Sequence, residues 1–123
     1  PNATQAVQNF YGEDFSRDTT REEALGKLKL SPDAKRLSAY INNVEELTVY
    51  LTRLSGCVTA EELALVVVSM VESGTGINKE MMVKERFIKL LLPLAPGITH
   101  GRSIDNIRAR INDAWARRAK KRT

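Results

Sequence analysis

The stretch Thr59-Ala60-Glu61-Glu62-Leu63-Ala64-Leu65-Val66-Val67-Val68-Ser69-Met70-Val71-Glu72-Ser73-Gly74 decides the fold class. Thr59 followed three residues later by Glu62 is a capping box, in which hydroxyl and carboxylate each satisfy the other residue's backbone N–H. Leu63 to Val68 is apolar on every side, the pattern of a helix at the centre of a bundle. Val66, Val67 and Val68 also suit a buried strand. The capping box and the length of the segment favour a helix, which Ser73-Gly74 ends.

The same punctuation recurs on both sides of this segment. Thr20-Arg21-Glu22-Glu23 reads as a capping box before a short helix through Ala24, Leu25 and Leu28. Ser31-Pro32-Asp33 is a second start, with Ala34, Leu37, Tyr40 and Ile41 on its apolar side. Asn43 opens a third helix, whose stripe is Val44, Leu47, Leu51 and Leu54 and whose end is Gly56. Asn78 caps a fifth helix with Met81, Val83, Phe87, Ile88 and Leu91 facing inward, terminated by Pro93 and Pro96. Ser103 caps the last. The expected fold is all-α, a single-domain bundle of five or six short helices. It divides into an N-terminal arm (1–19), a helical core (20–98) and a basic C-terminal helix packed on that core (99–123). The arm carries Phe10, Tyr11 and Phe15, which suit a segment lying on its own domain or exchanged with a second subunit.

At 123 residues, 42% of them hydrophobic, the chain holds one core. Its longest apolar run, Leu63 to Val71, is about half of a membrane span. Pro1-Asn2-Ala3-Thr4-Gln5 has neither the cationic nor the apolar region of a signal peptide. Cys57 is the single cysteine, so no intrachain disulfide forms, and the expected location is a reducing one, the cytoplasm.

The net charge of +4 conceals an asymmetry. Residues 100–123 hold eight cations (Arg102, Arg108, Arg110, Arg117, Arg118, Lys120, Lys121, Arg122) against Asp105 and Asp113, a net +6. Residues 1–99 hold eleven basic and thirteen acidic groups, a net −2. A single-sign cluster attracts polyanions. On a helical wheel, Ile104, Ile107, Ile111, Ala114 and Trp115 share one side. Asn106, Arg110, Arg117, Lys120 and Lys121 gather opposite, and Arg108 and Arg118 flank the apolar stripe. Such a helix docks by one face and offers the other to a phosphate backbone. The bland reading is a solvated helix end whose cations complement the macrodipole. Trp115, on the Ile104 and Ile111 side, is expected to be a core anchor rather than a base-stacking platform.

A helix-turn-helix is a weaker possibility. The helix after Gly56 is too apolar to read a groove. The one after Gly74-Thr75-Gly76, from Lys79 to Leu92, offers Lys79, Lys84, Arg86 and Lys89, diluted by Glu80 and Glu85. Catalysis finds little support. His100 lies in a glycine-flanked loop far along the chain from Cys57, and the paired glutamates are explained as caps. Gly74-Thr75-Gly76 lacks the lysine and spacing of a P-loop. No enzyme activity, cofactor, metal or small-molecule substrate is therefore expected. The leading function is non-enzymatic nucleic-acid binding, DNA favoured over RNA, through the eight C-terminal cations. The rival is a protein-interaction or homo-oligomerisation module in which Ile104, Ile107, Ile111 and Trp115, or the valine-rich helix, face another subunit. Attachment to anionic membranes is disfavoured by the narrow apolar side.

Overall fold

Side-chain caps open most of the helices. The Thr20 hydroxyl accepts the Glu23 N–H at 3.2 Å and starts α1 (Arg21–Leu28). Ser31 accepts from Ala34 N–H at 3.2 Å and starts α2 (Pro32–Ser38). The Asn43 side chain accepts from Glu46 N–H at 2.9 Å at the head of α3 (Val44–Ser55). Thr59 and Glu62 form the full reciprocal box, at 3.1 Å in each direction, before α4 (Ala60–Glu72). Asn78 caps α5 (Lys79–Met82), and Ser103 accepts from Asn106 N–H at 3.1 Å in the first turn of α7 (Ile104–Arg122). Each cap contributes about 1 kcal/mol by satisfying an N–H that the helix leaves unpaired.

The structure, a computed structural model, describes residues 20–122, the last two as backbone alone. The expectations for Phe10, Tyr11 and Phe15 lie outside the described residues. The described chain is a single all-helical fold of seven α-helices, against the five or six expected. The difference arises at Val83-Lys84. There the expected fifth helix breaks into α5 and α6 (Glu85–Leu91), and a 3-10 turn, Leu92–Leu94, follows around Pro93. Because of the break Met82, not Met81, is buried, while Phe87, Ile88 and Leu91 face inward as their spacing implies. α2 also ends earlier than its apolar pattern. Tyr40 and Ile41 lie in the turn beyond it, Ile41 buried and Tyr40 half-buried.

α4 is the central element, and α7 packs along it more extensively than any other pair of elements does. Leu63, Ala64, Val67, Val68 and Met70 are fully enclosed. The helix is nevertheless not buried all round: Leu65 is 44% exposed. On α3 the expected stripe is buried only at Leu47 and Leu54. Tyr50 joins it, reaching the C-cap of α4 through a 2.8 Å hydrogen bond with the Ser73 hydroxyl.

Two glycines mark close backbone approaches. Gly76 donates its N–H to Tyr40 O at 2.9 Å, tying the loop after α4 to the turn after α2. A Cβ on Gly97 would stand 2.5 Å from the Cys57 carbonyl oxygen, a backbone atom with little room to retreat. Gly97→Ala is therefore expected to lower stability by about 1–3 kcal/mol. Chemical denaturation checks this. An unchanged midpoint would mean that the 57–97 contact is loose.

Candidate nucleic-acid interface

α7 is anchored by three residues one or two turns apart. Ile107 and Ile111 are fully buried and Ala114 is 5% exposed. Burial of each isoleucine contributes about 1.5–3 kcal/mol. Ile104 and Trp115 are half-buried at the edge of this seam. Lys79 Nζ lies 5.7 Å from the centre of the Trp115 ring, so a cation from α5 already occupies that ring's face. Trp115 is thus placed as an anchor packed against the core, not as an open stacking platform.

The arginines of the C-terminal segment divide into two groups. Arg102 donates to Ile98 O at 3.0 Å and to Leu92 O at 3.1 Å, closing the loop that leads into α7. Arg108 Nε donates to Val83 O at 2.7 Å, while its Nη1 bonds Asp105 at 3.0 Å. The Val83 carbonyl lies at the α5–α6 break, so Arg108 bonds an acceptor at that break. Arg118 bonds Glu72, the last residue of α4, at 2.7 Å. An acid at a helix C-terminus is opposed by the macrodipole, and Arg118 offsets this. Glu72 is largely shielded, at 15% side-chain exposure. Arg102, Arg108 and Arg118 therefore all have structural partners within the fold.

The second group faces outward. Arg110 is exposed, and Arg117 is exposed with Nη1 3.5 Å from Glu61 Oε1. Both members of that pair are about 60% exposed (62% and 59%), so the pair contributes little and exchanges readily for another anion. Arg110 and Arg117 are seven residues apart, about 10.5 Å along the axis and on nearly the same side. That separation corresponds to about three phosphates of one duplex strand. Lys120 is exposed one turn further on. The side chains of Lys121 and Arg122 lie outside the described residues. Asp113, also exposed, falls between Arg110 and Arg117 and weakens their field. Asn106, expected on the outer side, instead folds back to donate to Gly101 O at 2.8 Å.

The helix-turn-helix reading does not survive the break at Val83-Lys84, because no single helix runs from Lys79 to Leu92. Its cations are redistributed: Lys79 lies against Trp115, and Arg86 and Lys89 line a cleft beside α2.

Cys57 is buried, with its thiol 3.3 Å from Arg53 O. Burial, and then the charge of Glu62, push the thiol above its ordinary range. Both effects disfavour the thiolate, the nucleophilic form. Alkylation by iodoacetamide at mildly alkaline pH is expected to be much slower in the native chain than in denaturant, and reaction at the rate of a free thiol would contradict this placement. His100 is exposed in its loop. No group of three or more His, Cys, Asp or Glu able to hold a metal occurs among the described residues. No described helix is long and apolar enough to cross a membrane.

No protein-family model, curated protein or solved structure matches the chain.

Proposed function

We propose that the chain is a non-enzymatic nucleic-acid-binding domain that contacts phosphates through the outer face of α7. The observation that carries this reading is the division of that helix. Ile107, Ile111 and Ala114 bury one side, while Arg110, Arg117 and Lys120 are exposed. A rigidly docked helix presents its cations at fixed spacing, so contact requires little further ordering. Duplex DNA is favoured over RNA, because its major groove admits a helix and the A-form groove does not.

The competing reading, a protein-interaction or oligomerisation module, needs an open apolar face. The seam it would use on α7 is occupied within the chain. Among the described residues, the exposed large hydrophobics, Val49, Val58 and Leu65, belong to three different segments. Titration of the intact chain with duplex DNA and with RNA, alongside light scattering, separates the two. The proposal expects binding by a monomer at low salt. A protein that self-associates and binds neither nucleic acid would refute it.

A further inference from the structure

A second cationic feature lies away from α7, where α2 meets α6. A cleft of about 540 Å³ is lined by Arg36, Ala39, Tyr40, Arg86, Lys89 and Leu90. Three cations from two helices line it, and no acid does. Arg36 bonds Asp33 at 2.7 Å and Lys89 bonds Glu85 at 3.1 Å. Both pairs are solvent-exposed, and a guanidinium has five donors and an ammonium three, so neither pair exhausts its cation. Arg86 is exposed.

Tyr40 forms the wall of this cleft. Its ring is held edge-on to Phe87, with centroids 5.8 Å apart and planes at 83°. Its backbone carbonyl is fixed by Gly76 N–H. The hydroxyl has no hydrogen-bond partner among the described residues. Tyr40 and Arg86 also border a small recess that Lys84 lines. A tyrosine and three cations lining one cleft suit a phosphate group, whose oxygens accept several charge-assisted bonds at once.

We infer that the α2–α6 cleft is a phosphate-binding site, distinct from the outer face of α7. The phosphate comes either from a free polyphosphate or nucleotide or from the backbone of a nucleic-acid strand. The site does not depend on the function proposed for α7.

The test is amide NMR of the full-length ¹⁵N-labelled chain, titrated with inorganic triphosphate, with a short oligothymidylate, and with sulfate at matched ionic strength. Saturable shifts are expected at residues 36–40 and 86–90 with triphosphate, and weaker ones or none with sulfate. Arg36→Gln/Arg86→Gln/Lys89→Gln, all at exposed positions, is expected to weaken this binding at least about tenfold. Arg110→Gln/Arg117→Gln is expected to leave the cleft shifts unchanged, so failure of either site is read separately. Tighter binding of oligothymidylate than of triphosphate assigns the ligand to a strand, and the reverse assigns it to a free phosphate compound; both uphold the site. Absence of cleft shifts, equal shifts with sulfate, or binding that survives the triple substitution overturns it.

Discussion

Ile111→Ala is expected to lower the free energy of unfolding by about 2–5 kcal/mol. Ile111 is fully buried in the seam between α7 and the body. Its truncation removes apolar contact and leaves a cavity that a helix anchored on both sides cannot easily close. Domains of this size are stable by only about 5–15 kcal/mol, so the loss is a large share of the total. Trp115 is the single tryptophan and sits on the same helix, so its fluorescence reports the docking directly. The neighbouring Arg110→Ala is expected to change stability by no more than about 0.5 kcal/mol, as an exposed position should. If the two substitutions behaved alike, α7 would not be docked by the Ile107–Ile111 seam.

Neutralising the outer face is expected to leave stability nearly intact and to remove most of the salt-sensitive binding. Each phosphate contact contributes about 0.9 to the logarithmic salt slope on duplex DNA and about 0.7 on single strands. Three lost contacts, at Arg110, Arg117 and Lys120, therefore reduce the affinity change between about 50 and 200 mM salt by roughly 20–40-fold. Asp113→Asn is expected to act in the opposite sense and tighten binding, because it removes the acid between the two arginines. Adjacent residues should separate the two roles of the helix. Arg117→Gln weakens binding, whereas Arg118→Gln costs about 1 kcal/mol of stability through its lost bond to Glu72. If Arg118→Gln instead reduced binding as Arg117→Gln does, the division of the arginines would be wrong.

Local chemistry was legible in the sequence; long-range partners were not. Thr20, Ser31, Asn43, Thr59, Asn78 and Ser103 could be read as helix starts because a cap bonds within three residues of itself. The buried side of α7 was likewise written in the spacing of Ile107, Ile111 and Ala114. The break at Val83-Lys84 carries no glycine or proline, and Arg108, 25 residues away, bonds the carbonyl there. The same limit applies to Arg102 and Arg118. Spacing placed Arg118 beside the apolar stripe and Arg102 just before the helix, but did not reveal Glu72, Leu92 O and Ile98 O as their partners. Arg21 repeats the pattern at the other end of the chain, donating to Ser38 O, Ile41 O and Asn42 O after α2. In this fold several arginines bond backbone carbonyls at helix ends and breaks, so a count of basic residues overstates the donors left for a partner. The α2–α6 cleft was hidden for a related reason. Arg36 and Arg86 belong to helices far apart in sequence, and only packing brings them to one wall.

Fluorescence anisotropy on a labelled DNA duplex, at about 50 and 200 mM salt, tests binding through α7 most directly. It should be run on the intact chain and on Arg110→Gln/Arg117→Gln/Lys120→Gln. The expected result is a steep loss of affinity with salt for the intact chain and a slope shallower by nearly three for the variant. Equal slopes for the two, or no binding by the intact chain at the lower salt, would contradict it.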